Sequence, residues 1–591
     1  MRSLFWCCVA LCSCLAQPVF AVQPMASAQS AEKTQAVGLQ PAEPPFALTL
    51  QQLTDWTEQG ATASAANRSL VPLARRQSAP LTGLAVQDSY AKVLYAPDGM
   101  NNFGNYVTPQ PKFNLYNFSH WSQIDILNWF AGTADLTVQI PARPWVDTAH
   151  KNGVKVIGSV FLGIAQWGGN PDTVETLLQQ DAQGRFVLAD QLIRIAEFYG
   201  FDGWLVNQET DLTAVKDAAN QLVKGEKNPQ RGAELAARLL AFMQYLTARA
   251  PQGMEIHWYD SMLPSGVVRW QNELNEQNQR YLQGAVRSSD AIFLNYWWDQ
   301  PMIRQSAERA LMLGRSPYEV YTGADLWPSR TAQRAFSQSR WLDDLMVDGK
   351  ALTSIALFAP NVNFNFSGDA DTPAFSTFAE NPHDERRFYQ TEQRLFAGDD
   401  LNQATTDATG WKGLGAYLAA KTTVLSLPFH TRFNTGHGKQ LWLNGQTKGA
   451  AWSDISQQDV LPTWQFAVEG DAALHIFYDF HQAWSGGSSL AIQSSATTKT
   501  SHIPLYRTQL QPGSGLTLKV RVQGQAAGLS LYVQTADGNR LSLPLQNSDH
   551  WQQLTAHWPE LQGQQIVQLG LLLSAGQKRL DARIGELELL P

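Results

Sequence analysis

The stretch Tyr199-Gly200-Phe201-Asp202-Gly203-Trp204-Leu205-Val206-Asn207-Gln208-Glu209-Thr210 holds the residues whose types and spacing can do chemistry. A helical pattern ends at Gly200, and a buried strand begins near Gly203. The polar cluster follows at the strand's C-terminal end, where barrel enzymes hold their catalytic groups. Side chains alternate across a strand, so Asn207 and Glu209 share one face, roughly 6.6–7 Å apart along it, and Gln208 takes the other. An amide and a carboxylic acid in that arrangement can act together on an N-acetylated sugar. The acid protonates the departing glycosidic oxygen, and the sugar's own 2-acetamido oxygen attacks the anomeric carbon to give an oxazoline, so no nucleophilic carboxylate is needed. The amide would orient the acetamido group. Two plain alternatives stand beside this: Asn207 caps a turn, and Glu209 is a solvated loop residue. The Asn-x-Glu spacing alone does not decide between them.

The elements that must position these residues are legible as an alternation. Between about Ser89 and Pro360, apolar runs at Ile124–Phe130, Val154–Phe161, Gly203–Glu209, Glu255–Ser261, Ala291–Trp298, Glu319–Leu326 and Ser354–Pro360 are separated by helix-like segments. In one of those segments, Gly232–Ala250, Leu235, Leu239, Leu240, Met243 and Leu246 recur at helical spacing. Strands apolar enough to be buried on both faces imply an α/β fold, a (β/α)8 TIM-type barrel whose eighth strand is unassigned. After about residue 400 the texture becomes short alternating runs broken by turn residues, which predicts an all-β sandwich or jelly-roll region. Trp484, Trp551 and Trp558 could serve as stacking platforms, but a sandwich of this size needs aromatic core residues, and the core is where they are expected. The organisation is then a signal peptide over 1–21, a flexible linker over 22–50, a catalytic barrel with an N-terminal extension over 51–400, and one or two β-sandwich domains over 401–591.

All four cysteines, Cys7, Cys8, Cys12 and Cys14, lie in a short apolar stretch after Arg2. That stretch reads as a secretory signal cleaved after Ala21, with lipidation of Cys14 as the second reading. A secreted or periplasmic, cell-surface location is expected, with a mature chain free of thiolate nucleophiles, disulfides and Cys-ligated metal. With 44 basic and 52 acidic residues the net charge is -8, and without a basic run the footprint of a nucleic-acid binder is missing. No later segment approaches membrane-spanning length, so no integral membrane segment is expected in the mature chain. The chain has neither a His-Glu-x-x-His motif nor a phosphate-binding Gly-Lys-Ser/Thr loop, and Gly368-Asp369-Ala370-Asp371 reads as a turn, not a calcium loop. No metal and no cofactor are expected.

Phe201-Asp202-Gly203 followed by Asn207-Gln208-Glu209 resembles the catalytic strand of glycoside hydrolase family 85, the endo-β-N-acetylglucosaminidases, especially bacterial members of the endo-D type. Further matches run in order: Tyr116; Trp121–Asp125; Trp145–Val156; Trp258-Tyr259-Asp260-Ser261; Trp270-Gln271-Asn272; Phe293–Trp297; Leu357-Phe358-Ala359-Pro360; and Phe433-Asn434-Thr435-Gly436-His437-Gly438. Leu461-Pro462-Thr463-Trp464 and Trp484–Leu490 extend the likeness, which covers most of the chain from about residue 90 to 495. The sequence departs from many eukaryotic members at Trp129-Phe130-Ala131-Gly132, where they carry an aromatic-Ser-His ending.

The resemblance implies that Glu209 is the general acid/base and that Asn207 holds the acetamido group. Tyr259 matches a tyrosine near the reaction centre, and Trp270, Tyr296 and Trp297 match aromatics of the sugar groove. Asn295 and Asp325, near the ends of later strands, are candidate polar contacts to substrate. Trp258 and Trp298, of opposite strand parity to Tyr259 and Trp297, are expected in the core, and Asp202 at a turn or on a neighbouring strand. The implied activity is retaining, oxazoline-forming cleavage between the two core N-acetylglucosamines of N-glycans, with N-glycoproteins or free N-glycans as partners. A chitinase-like hydrolase of N-acetylglucosamine polymers and a non-catalytic glycan-binding protein are the alternatives.

Overall fold

The computed structural model describes residues 45–591 apart from 82–86, 220, 328–340, 366–384, 399–409, 471–473, 496–498 and 577–578. Eight strands form its centre: β1 (Val93–Ala96), β2 (Ile126–Asn128), β3 (Lys155–Leu162), β4 (Gly203–Gln208), β5 (Glu255–Tyr259), β6 (Ala291–Leu294), β7 (Val320–Asp325) and β8 (Ser354–Phe358). Each pairs in parallel with the next. The barrel closes where β8 returns to β1, with Ile355 opposite Val93 and Phe358 opposite Ala96. The TIM-type barrel read from the sequence is present, and its unassigned strand is β1, the first. Val-Leu-Tyr-Ala, ended by Pro97, is too short a run to declare itself before its neighbours are known.

Both faces of these strands are buried, which explains their nearly continuous apolar runs. Leu94, Ile126, Ile157, Leu205, Tyr259, Phe293, Tyr321 and Ala356 point into the barrel and pack as one cluster. Their neighbours Val93, Leu127, Val156, Trp204, Ile256, Trp258, Ile292 and Ile355 point outward into the larger core. Around them lie α1 (Arg143–Lys151), α2 (Val187–Tyr199), α3 (Pro229–Arg249), α4 (Gln300–Met312) and α5 (Glu385–Ala397). Helix α3 begins with Asn228, whose side chain accepts from the Arg231 N–H, followed by Pro229 at the first helical position. It buries Leu235, Leu239, Phe242, Met243 and Leu246 on one face. The β1–β2 and β5–β6 connections carry only short 3-10 turns.

The Phe201-Asp202-Gly203 motif sets the register of β4. Gly200, at φ +77, ends α2 in the left-handed conformation. The Asp202 carboxylate then accepts from the Val156 N–H at 2.7 Å and faces His150 Nε2 at 2.8 Å, binding the strand's entrance to β3 and α1 as its position suggested. Gly203 has φ +142, and a Cβ there would fall 1.9 Å from the Glu255 carbonyl oxygen. Only glycine lets β4 and β5 approach so closely.

The linker bounds of 22–50 take in residues that belong to secondary structure, although the linker-like composition itself stops near Pro45. Phe46 and Leu48 are buried, Ala47–Leu48 pairs with Val138–Gln139, and a capping box at Thr49 and Gln52 starts a helical turn at Leu50. Residues on the two sides of position 400 are also interleaved. Gln77–Ala79 pairs with Ala420–Thr422, and Lys421 joins Arg76 on Asp125 beneath the barrel, at 2.7 and 2.5 Å. The boundary at 401 and the turn at Gly368–Asp371 lie outside the described residues, as do the signal segment over 1–21 and most of the linker.

The C-terminal region is all-β, as expected. A six-stranded sheet contains Phe429–Thr431, Leu474–Asp479, Ser489–Ser494, Leu516–Gln525, Ser548–Trp558 and Leu580–Leu590; a four-stranded sheet contains Ser501–Leu510, Leu529–Thr535, Arg540–Pro544 and Ile566–Leu573. The strand Leu580–Leu590 lies inside its sheet, paired with Phe429–Thr431, Ser489–Ser494 and Leu516–Gln525. Inward residues such as Val520, Val522, Leu531, Leu571 and Leu587 alternate with polar ones and share one core. Trp558 is buried there. Trp484 and Trp551 differ from the expected core role: they are half-buried, with Arg521 over the Trp484 ring, on the sheet face opposite Val520 and Val522.

Candidate active site

The strands' C-terminal ends form a mouth in which the polar candidates gather. Asn207 and Glu209 project to the same side of β4, as the period of two requires, and the Asn207 Nδ2 donates to Glu209 Oε2 at 2.9 Å. Pairing with β3 continues past the strand's last residue, because the Glu209 N–H donates to the Leu162 carbonyl at 2.7 Å. That bond holds the half-buried Glu209 in strand geometry. Gln208, on the other face, donates to the Thr210 carbonyl and is fully buried.

On the next strand, Tyr259 is buried and points inward, while Trp258 points outward and stacks on Tyr281 at 4.6 Å. The Tyr259 hydroxyl donates to Asn295 Oδ1 at 2.9 Å. Burial first, and then the neighbouring Tyr296 and Glu209, hold this phenol well above its usual range, so it keeps its proton at neutral pH. Tyr296 lies 6.5 Å from the Tyr259 ring and stacks on Phe358 at 5.9 Å, so β4, β5, β6 and β8 converge on one patch.

The remaining candidates lie at its edge. Trp270 and Trp297 are 38% and 59% exposed and offer aromatic faces to solvent. Trp298 instead turns inward, its Nε1 donating to the Gly323 carbonyl at 2.6 Å. Asp325 is buried at the inward end of β7, where its Oδ1 accepts from the Trp327 N–H. It shares the barrel mouth but is two strands removed from Tyr259. Phe130, in the segment that departs from the aromatic-Ser-His ending, packs edge-on against Phe161 and Phe358.

Asn272 entered the sequence reading only as the end of the Trp270-Gln271-Asn272 match, with no role given to it. It adopts φ +63, and its Oδ1 accepts from both Asn295 Nδ2, at 2.8 Å, and the Trp297 N–H, at 3.1 Å. Its backbone is held by Asp260, whose Oδ2 accepts from the Gln271 and Asn272 N–H groups while Oδ1 accepts from Asn278 Nδ2. Asp260 lies on the strand face opposite Tyr259 and serves this loop. Burial raises its carboxyl to about 7 against the hydrogen bonds that favour the anion. A second carboxylate opposite Glu209, the requirement of a two-carboxylate retaining mechanism, is therefore not supplied by Asp260.

Elsewhere, His430, Glu586 and Glu588 bring three potential metal-ligating atoms together among the described residues. Arg432 and Arg521 both pair with Glu586, and hydrogen bonds from His430, Arg521 and Arg432 outweigh burial and hold it at about 2. This is an ion-pair network on the β-region's surface. Among the described residues no helix is long and apolar enough to cross a membrane.

Comparison with known proteins gives this geometry its context. The sequence model described as Glycosyl hydrolase family 85 matches residues 100–441. The cytosolic endo-beta-N-acetylglucosaminidase of Gallus gallus is 29% identical over 437 residues, covering 73% of this chain and 50% of its own length. The Homo sapiens protein of that name is 26% identical over 456 residues, covering 75% and 51%. The chain thus spans about half the length of the curated relatives it matches. Among solved structures, the glycoside hydrolase domain of Endo-D from Streptococcus pneumoniae R6 superposes with a TM-score of 0.76 at 26% identity, covering 93% of this chain and 83% of that one. The curated relatives are named cytosolic, which overturns the secreted or periplasmic location expected from the N-terminal segment.

Proposed function

Because this chain belongs to glycosyl hydrolase family 85, we propose that it is an endo-β-N-acetylglucosaminidase of the bacterial endo-D type, cleaving the GlcNAc-β-1,4-GlcNAc core of N-linked glycans. The likeness to Endo-D over nearly the whole chain supports that placement. The observation that carries the activity is the Asn207–Glu209 pair, aligned and hydrogen-bonded at the mouth of the barrel.

In this reading Glu209 protonates the glycosidic oxygen as the bond breaks. Asn207 holds the 2-acetamido group so that its carbonyl oxygen attacks the anomeric carbon from the opposite side. The resulting oxazoline is opened by water, whose proton returns to Glu209, and the anomeric configuration is retained. Tyr259 completes the wall around the acetamido group, and Tyr296 with Phe358 closes the floor. Trp270 and Trp297 flank the entrance as stacking faces for the rest of the glycan, with Asn295 and Asp325 as polar contacts. N-glycoproteins or free N-glycans are the substrates, and no cofactor takes part.

The test is incubation of the purified protein with a glycoprotein bearing defined N-glycans, followed by mass spectrometry. Release of glycan with one N-acetylglucosamine left on the asparagine supports the reading. Cleavage of N-acetylglucosamine polymers with no action on glycoprotein assigns a chitinase-like enzyme, and tight glycan binding without product assigns a binding protein.

A further inference from the structure

We propose that Asn272 is a positioning residue that fixes the direction of the Tyr259 hydroxyl, an inference that rests on the function proposed above. One atom of the network has no choice of role. The backbone N–H of Trp297 can only donate, and it meets the Asn272 side chain at 3.1 Å, so the atom facing it is the amide oxygen. That oxygen receives a second bond at 2.8 Å from Asn295, which must present its nitrogen there. With the nitrogen so placed, the Asn295 oxygen faces Tyr259 at 2.9 Å, and a carbonyl oxygen only accepts. The tyrosine's single proton is therefore committed to Asn295. Toward Glu209 and Tyr296 its oxygen offers lone pairs alone, as an acceptor for a protonated acid or a substrate N–H.

Amide orientations are ordinarily ambiguous, but here a backbone group settles each step in turn. The source of the relay is equally fixed. Asn272 sits in the left-handed region, which asparagine tolerates better than other non-glycine residues, and the buried Asp260 holds its N–H at 3.1 Å. The β5–β6 connection thus reaches across to the end of β6, where the Asn272 oxygen holds the rim tryptophan Trp297 directly and the buried Tyr259 through Asn295.

Two substitutions separate this role from simple loop support. Asn272→Gly keeps the left-handed backbone and deletes the oxygen; Asn272→Asp keeps an acceptor oxygen in place. We expect Asn272→Gly to lower kcat on a defined N-glycan about tenfold, the scale of one mispaired buried hydrogen bond, with a smaller change in KM. Asn272→Asp should stay within about threefold of the parent, since it retains the acceptor. In a Tyr259→Phe background, Asn272→Gly should add no further loss, because the hydroxyl whose direction it sets is gone. Equal losses in the glycine and aspartate variants, or full additivity with Tyr259→Phe, would overturn the proposal. Hydrogen exchange at the Trp297 amide gives a readout independent of turnover: it should accelerate in Asn272→Gly and stay slow in Asn272→Asp, and an unchanged rate in Asn272→Gly also overturns the relay. If the parent protein leaves N-glycans intact, the proposed function fails and takes the effect of Asn272 on turnover with it, whereas the exchange measurement still decides whether the relay exists.

Discussion

The amide nitrogen of Asn207 donates to the carboxylate of Glu209 at 2.9 Å, so the two groups assigned to opposite sides of one reaction are in direct contact. Contact of this kind means that their roles are separable only by substitution. If Glu209 is the acid, Glu209→Gln keeps its shape and removes the transferable proton. Hydrolysis of N-glycan should fall by about 10²–10⁴-fold with glycan binding retained, as checked by released-glycan chromatography beside calorimetry. Activity near the parent level would exclude Glu209 as the acid.

Asn207→Gln moves the amide outward by one methylene. Formation of the oxazoline should suffer, while Glu209 still protonates an oxazoline supplied preformed. The variant is expected to hydrolyse glycan poorly yet transfer sugar oxazoline to an N-acetylglucosamine acceptor. Undiminished hydrolysis, or a trapped covalent glycosyl-enzyme, would contradict substrate assistance.

Asp260 gives a stability signature. Its carboxyl is raised by burial to about 7, above the ordinary value near 3.9, so between those values the native state binds more proton than the unfolded state. Stability from this group is present at the acid end and declines as pH rises from about 4 to 7. Urea midpoints measured across that window should fall toward neutrality in the parent protein and flatten in Asp260→Asn. An identical slope in the two proteins would refute the assignment.

The charge cluster under the barrel behaves in the opposite sense. Burial alone would raise the Asp125 carboxyl, but Lys421 and Arg76 bring it below its usual value. Its contribution is therefore complete above about pH 4 and is lost as pH falls through the lowered value. Asp125→Ala leaves two buried cations facing each other and should cost about 3–5 kcal/mol, read from denaturant unfolding at neutral pH. A cost below about 1 kcal/mol would place these groups in water.

What could be read in the sequence was what depends on local period. The shared face of Asn207 and Glu209 and the outward parity of Trp258 follow from alternation along one strand. So does the two-sided burial that makes a barrel the economical arrangement for seven apolar runs. Strand β1 escaped because four residues carry too little periodicity, and it is defined by β8, more than 250 positions later. The role of Asn272, quoted only within a matched run, escaped because it depends on a positive φ and on partners 23 and 25 residues away. Location failed for another reason: an apolar N-terminal stretch states how a segment partitions, not where a protein works.

The strand Leu580–Leu590 has a consequence for biosynthesis. It occupies the interior of its sheet, yet it leaves the ribosome after Phe429–Thr431, Ser489–Ser494 and Leu516–Gln525, the three strands it joins. Those strands must wait with open hydrogen-bonding edges while the rest of the chain is made. Ribosome-bound chains halted before residue 580 should consequently expose sheet edges to chaperones, even though the barrel's eight strands have long since been translated.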